Sequence, residues 1–261
     1  LQDKLFVSPN EMAMVSMKDV SSKGYEEQFL DSLNTLQKEK YYKIKNTLNN
    51  EDLLVFDGAL KDFQDLKKSK IPQGLEKIIE RKFIAQLQSK PQKLLDKVLK
   101  NEAVPLSQSE IGQMAKNLNK SCELMKSDHY LYNTTKAKYH FFQYLYYYYD
   151  DNYIFSNDLK SKSENEIELA IDFEQDFDFL YLALGNIYFT KGNLEKSAQQ
   201  FKTASQLNSE NYLPYYNLGL LSMKTDSLLQ AVEYFSKAIT LNPNDAFSYY
   251  QKANTLRQLG K

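Results

Sequence analysis

"DFLYLALGNIYFTKGNLEKSAQQFKTASQLNSEN", Asp178–Asn211, runs directly into "YLPYYNLGLLSMKTDSLLQAVEYFSKAITLNPND", Tyr212–Asp245, and then into "AFSYYQKANTLRQLGK", Ala246–Lys261. Laid one under another, the stretches repeat every 34 residues: Tyr181, Tyr215 and Tyr249 share a column, as do Leu184 and Leu218. Gly185 aligns with Gly219, Phe201 with Phe235 and Ala204 with Ala238, while Ala253 takes the glycine's place in the third copy. A period of this length marks one supersecondary unit that cannot bury its apolar face alone and must stack on its neighbours. Glycine inside a helix costs up to ~1 kcal/mol against alanine, so Gly185 and Gly219 imply a second helix in close approach. Ala204 and Ala238 give the same room on the second helix, and Phe201 and Phe235 fill the space between the pair. "TKGNLEK" and "KTDSLLQ" read as tight turns. Asn242-Pro243-Asn244-Asp245 ends one helix and leads into the next.

These columns resemble the tetratricopeptide repeat family. Leu184-Gly185, Tyr188, Gly192, Phe201 and Ala204 carry the likeness in the first copy; Leu218-Gly219, Ala231, Phe235, Ala238 and Pro243 carry it in the second. Ser222 departs from it, standing where an aromatic residue is usual, and Ser209 stands where a proline is usual between repeats. The resemblance implies an all-α chain: an irregular helical domain over residues 1–127, then an α-solenoid of helix-turn-helix repeats over 128–261. Within the solenoid, 178–211 and 212–245 are full repeats and 246–261 is the first helix of another.

One period further back, Ser163, Ile167 and Ala170 fall in the second-helix columns, so 128–177 reads as a degenerate repeat. Its first helix is expected over about Asp128–Asp150, followed by a polar loop over about Asp151–Lys162. Ser163 and Glu166 would then form a capping box at the second helix. The first helix contains "HFFQYLYYYYDDNYIF", His140–Phe155. This run is too short and too rich in hydroxyls to span a bilayer. Phe141, Tyr144, Leu145 and Tyr148 lie on one stripe and Phe142, Tyr146 and Tyr149 on another, which predicts a helix buried on more than one side, the joint between the two halves of the chain.

No 34-residue period is visible in the first half. "GYEEQFLDSLNTLQKEKYYKIKNTL" places Phe29, Leu33, Leu36, Ile44 and Leu48 on one helical stripe. "EDLLVFDGALKDFQDLKK" reads as another helix. Pro72 and Pro91 each sit at a position that predicts a new helix opening there. Ser107-Gln108-Ser109-Glu110 is a capping box for a helix through about Met125. Amphipathic helices leading through an aromatic helix into repeats loosely resemble the region that follows the protease domain in bacterial caspase-like proteins. That resemblance implies a catalytic domain upstream, and none of that family's catalytic motifs stands in these residues.

The composition is that of a globular, helix-rich chain: 42% hydrophobic, 26% charged, eight Gly and six Pro in 261 residues. With 33 basic and 34 acidic residues, nothing in the charge calls for nucleic acid as a partner. No apolar run approaches the ~18 residues of a membrane span. Cys122 is the sole cysteine, which excludes an intrachain disulfide and suits a reducing compartment, here taken as the cytoplasm. The chain lacks an initiator Met and stops inside a repeat, so it is expected to be a piece of a longer protein.

Catalytic and metal patterns are weak. Cys122 and His129 lie about 10 Å apart along a continuous helix, beyond the ~3 Å that a nucleophile–base pair needs. "DFEQDFDF" offers Asp172, Glu174, Asp176 and Asp178 but lacks the glycine and distal glutamate of a calcium loop. No phosphate-binding, dinucleotide or zinc-protease string occurs, so neither cofactor nor metal is implied and the chain itself is not expected to be an enzyme.

The resemblance implies instead a concave groove lined by the first helices. First-helix residues outside the packing columns are its candidate lining. They are Phe179, Leu182, Asn186 and Phe189 in the first full repeat, and Leu213, Tyr216, Asn217, Leu220 and Met223 in the second. The third copy adds Phe247, Tyr250, Asn254 and Arg257. Asn186 and Asn217 match the asparagines of the family's clamp for C-terminal carboxylates, but Leu182, Phe247 and Gln251 stand where it has cations, so an extended peptide or a docked domain held by apolar anchors suits the groove better. Three readings remain open at this point: an adaptor that binds a protein segment, a regulatory or docking region of a protease whose active site is elsewhere, and a subunit that self-associates through its open C-terminal repeat.

Overall fold

A computed structural model of the chain describes residues 22–49, 56–99, 107–125, 127–148 and 157–260. These form twelve helices and no strand. They divide into two compact units, residues 1–105 with 113–135, and residues 106–112 with 136–261.

In the first unit the helices are α1 (Ser22–Leu30), α2 (Thr35–Asn49), α3 (Phe56–Lys68) and α4 (Gln73–Leu99). The expected single stripe from Phe29 to Leu48 is two helices. Asn34 breaks it, because its Oδ1 accepts from the Gln37 N–H at 3.0 Å while Gln37 Oε1 accepts from the Asn34 N–H at 3.0 Å. This reciprocal cap starts α2 afresh and rotates Leu36 outward, where it is exposed. Tyr41, Ile44 and Leu48 then bury against Ala59, Phe63 and Leu66 of α3 and Leu75, Ile79, Phe83 and Leu87 of α4. Pro91 does not open a helix. It lies buried inside α4, whose flanking Leu87, Gln92, Leu94 and Leu95 are buried too. Proline inside a helix costs about 3 kcal/mol, and burial on both sides of it offsets that cost.

The Ser107 box forms as expected: its hydroxyl accepts from the Glu110 N–H at 3.2 Å, and Glu110 Oε2 accepts from the Ser107 N–H at 3.0 Å. It starts α5 (Gln108–Leu124). Helix α6 (Tyr132–Tyr148) carries the aromatic run. Phe141, Phe142, Tyr144 and Leu145 are buried, whereas Tyr149 and residues up to 156 lie outside the described residues.

The second unit continues with α7 (Asn157–Phe173), and here two expectations are corrected. Asn157–Lys162 is helical rather than loop, extended upstream by an Asp158–Lys162 ion pair at 2.8 Å. Ser163 is therefore no cap: it sits mid-helix and fully buried, in the column of Ser197 and Ala231, which are buried as completely. Glu166 instead pairs with the His140 ring, Nδ1 to Oε2 at 2.7 Å.

The pairs α8 (Asp178–Thr190) with α9 (Leu194–Leu207) and α10 (Leu213–Lys224) with α11 (Leu228–Leu241) follow, then α12 (Ala246–Gln258). Each helix packs on its chain neighbours, and the first helices α8, α10 and α12 also touch in series. A Cβ built on Gly185 would lie 2.5 Å from a Phe201 ring carbon, and one on Gly219 would lie 2.6 Å from Phe235, so each ring rests directly on backbone. Ser197 adds a buried bond from Oγ to the Gly185 carbonyl at 2.9 Å.

The turns repeat as well. Gly192, Asp226 and Gly260, 34 residues apart, all have positive φ, at 78°, 57° and 71°. After the first two, the next N–H donates five residues back, Asn193 to Tyr188 O at 2.9 Å and Ser227 to Ser222 O at 2.8 Å. Between repeats, the Asn208 and Asn242 side chains accept from Glu210 and Asn244 N–H, each at 3.2 Å, so the turn forms with Ser209 as it does with Pro243.

Gly219→Ala is expected to destabilise the chain by about 1–3 kcal/mol through overpacking, while Gly58→Ala, with nothing within 4 Å of its added carbon, should gain up to ~1 kcal/mol. Urea unfolding of both variants checks the contrast. Asp226→Gly relieves a left-handed residue and should stabilise by about 1 kcal/mol, read as a higher melting temperature.

Candidate functional site

The candidate face is set by the three first helices. Of its expected lining, Phe179 lies inside the protein, 7% exposed, with its ring 4.8 Å from Phe141 and 5.1 Å from Phe177. The aromatic run of α6 therefore covers it. Leu182 and Phe189 are half-buried against Phe201, Leu218 and Leu221, where the first full repeat meets the second. Asn186, Leu213, Asn217, Leu220, Met223 and Asn254 are half-buried, and Arg257 is exposed. Tyr216 is half-buried, its ring centroid 5.9 Å from Phe235, and its hydroxyl pairs with the side chain of Gln251. Burial pushes the Tyr216 phenol up, against that hydrogen bond.

Phe247 and Tyr250 are 68% and 64% exposed on α12, with Tyr249 beside them at 50%. In register Tyr250 corresponds to Leu182 and Tyr216, and in those copies the following repeat supplies cover. No described residue follows to do so on α12.

Charge on this face is uneven. Across α8, α10 and α12 the basic residues are Lys224, Lys252 and Arg257, and the one acid is Asp178. Asp178 is buried and accepts from Asn211 Nδ2 at 2.8 Å. Lys224 Nζ stands 4.6 Å from the centroid of the Phe189 ring. Lys224 escaped the sequence reading because it closes its helix, one residue past the chosen lining; the alternation of ring and cation at one end of successive first helices was the available signal.

A polar cluster on α7 and α8 was also missed. Glu164 and Glu168, one helical turn apart, both reach Tyr188, and Lys191 pairs with Glu164. Burial first, then these carboxylates, push the Tyr188 phenol up to about 12. The i, i+4 carboxylates were its sequence signal.

The catalytic patterns separate. Cys122 is buried among Ile84, Met125 and Leu131, while His129 Nδ1 accepts from the Leu131 N–H at 3.2 Å and its ring stacks on Tyr130. Burial, then Arg81, lower the His129 pKa. Among the described residues no three of His, Cys, Asp and Glu gather as a metal site, and no helix is long and apolar enough to cross a membrane.

Residues 170–226 match the family profile described as TPR repeat, and residues 214–245 and 234–261 match two profiles described as tetratricopeptide repeat. The Cell division cycle protein 27 homolog of Caenorhabditis elegans is 32% identical over 79 residues, 30% of this chain and 10% of that protein. Anaphase-promoting complex subunit 3 of Schizosaccharomyces pombe is 31% identical over 80 residues, 31% of this chain and 12% of that protein. The match thus spans about a tenth of the length of these curated relatives. A thermophilic TPR protein of Thermus thermophilus is similar in structure at 16% identity and a TM-score of 0.45, covering 82% of this chain and 98% of its own. The Arabidopsis OM64 TPR domain gives 14% identity and a TM-score of 0.42, over 47% of this chain and 96% of its own.

A phenol held protonated in the fold stabilises it below the unfolded-state pKa near 10, and that stability is lost as pH rises from about 10 toward 12. The urea midpoint of the chain is expected to fall over this range, and to fall less in Tyr188→Phe. Equal falls would show that Tyr188 is not the group responsible.

Proposed function

Residues 170–261 belong to the tetratricopeptide repeat family, and from that premise we propose that the chain is a non-catalytic protein-interaction module that takes a segment of another protein along its first helices. The observation that supports this most directly is the row of first-helix side chains Asn186, Leu213, Asn217 and Leu220, half-buried where α8 and α10 lie side by side. Phe247 and Tyr250 stand exposed in the same register on α12. Exposed aromatic side chains of this kind are favoured anchors in protein interfaces, since they bury much area at little entropic cost.

The half-buried Asn186, Asn217 and Asn254 fit the same reading, because amide side chains can both donate to and accept from the backbone of an extended segment. A relative named as a subunit of a larger complex is in keeping with a protein partner. We assign the binding role to residues 128–261 and leave 1–127 as the helical domain that precedes it.

Displayed random peptides selected on the immobilised full chain test the proposal. Affinity of the selected peptides, measured by fluorescence anisotropy, is expected to fall at least about tenfold in Tyr250→Ala and in Asn217→Ala. Circular dichroism should show both variants folded, since Tyr250 is exposed and Asn217 only half-buried. Unchanged affinity in both variants would remove the first-helix face as the binding site.

A further inference from the structure

We propose that α1 is a releasable strap in the first unit, and that the seat it fills on α2 and α4 is a binding site for a short helix of a partner protein, one bearing a carboxylate three residues before a phenylalanine. The proposal is independent of the binding role given to residues 128–261.

α1 has nine residues. A helix needs about 12–15 residues to be even marginally stable alone in water. No acid stands in its first turn and no base in its last, so nothing on the helix itself complements its dipole. Its order therefore comes from what it docks on. Glu26 and Phe29, one turn apart, are its anchors. Glu26 Oε1 accepts from two ammoniums on different helices, Lys45 of α2 at 3.3 Å and Lys82 of α4 at 3.1 Å. The Phe29 ring rests on Gly74 in the first turn of α4, where a Cβ would stand 2.3 Å from its Cζ. Gly74 has no positive φ, so the backbone does not call for glycine there. Glycine is a poor helix former, and the ring is what requires it.

A terminal helix held as plain core needs neither feature, since apolar packing of the kind Leu30 makes on the same cluster suffices. Two cations converging on one carboxylate, beside a hollow that admits one ring only over glycine, read a charge and a shape together. The chain's own α1 supplies both and so displays the ligand chemistry that the seat selects. The link to α2, residues 31–34, is short, which holds α1 over the seat at an effective concentration on the order of mM. A partner helix therefore gains the seat only in proportion to the fraction of chains whose strap is off. Lys45 and Lys82 remain partly exposed, so salt weakens the charged anchor while leaving the core of α2 and α4 in place.

Hydrogen exchange on the full chain is the first test. The amides of α1 are expected to exchange at least about tenfold sooner than those of α2 and α4, and sooner still at about 500 mM salt than at about 50 mM. Exchange of α1 only in step with α2 and α4 would make it a plain core element and overturn the strap.

The second test uses a fluorescein-labelled peptide of residues 22–33 as the partner helix. By anisotropy it is expected to bind the full chain carrying Glu26→Gln with Phe29→Ala at least about tenfold tighter than the parent, because that variant's own strap is off. Gly74→Ala also expels the strap but fills the hollow, so the peptide should not bind it. Circular dichroism checks that both variants fold; if the double variant does not, Glu26→Gln alone, which removes charge and no packing, gives the same comparison. Failure of the released chain to bind the peptide, or equal binding by Gly74→Ala, would overturn the site. Sedimentation showing the released chain pairing by exchange of α1 between copies would assign the seat to a second copy and overturn the partner helix.

Discussion

The two full repeats of this chain are each organised by a phenylalanine ring lying on a bare Cα. Phe201 on Gly185 and Phe235 on Gly219 leave no room for even one methyl group, so the two helices of a pair are held at the shortest spacing backbone permits. Ala204 and Ala238, fully buried, keep the opposing helix equally lean. The tight pair then needs an abrupt reversal, supplied by a left-handed residue every 34 positions, and presents a continuous apolar edge to the next pair. Helix spacing, turn geometry and the repeat interface thus descend from one contact. The same spacing leaves the remaining first-helix side chains, Phe179 excepted, half-buried or exposed, and these make up the candidate face.

The repeats were legible from residues alone because their columns encode backbone constraints. Glycine under a ring, alanine at a crossing and a turn residue at positive φ each tolerate few alternatives, so they recur visibly. The first unit encodes its structure differently. Pro91 looks like a helix start, yet its neighbours Leu87, Leu94 and Leu95 are buried on both sides and carry α4 through it. Tertiary burial outweighed a local signal there. Asn34 shows the converse, a two-residue cap with Gln37 that interrupts what hydrophobic spacing joined.

Ser163 failed for a third reason. A serine three residues before a glutamate has the spacing of a cap, but the repeat register had already placed it with Ser197 and Ala231, at a crossing where only small residues fit. The longer-range pattern held the better information. Among the candidate lining residues, the third copy could be read as exposed, whereas Phe179 could not be read as buried: what covers it is the aromatic helix α6, whose packing follows no column of the repeat.

Contacts between chain neighbours, with the first helices touching in series, make the second unit close to one-dimensional. Stability in such an array is set helix by helix, through the neighbours each helix leans on. α10 touches α8, α9, α11 and α12. It carries Tyr216 and Asn217, half-buried on the candidate face. Occupation of that face would then do two things at once: bury first-helix side chains and brace the helix on which its neighbours lean, so that order within the array becomes a readout of whether a partner is present.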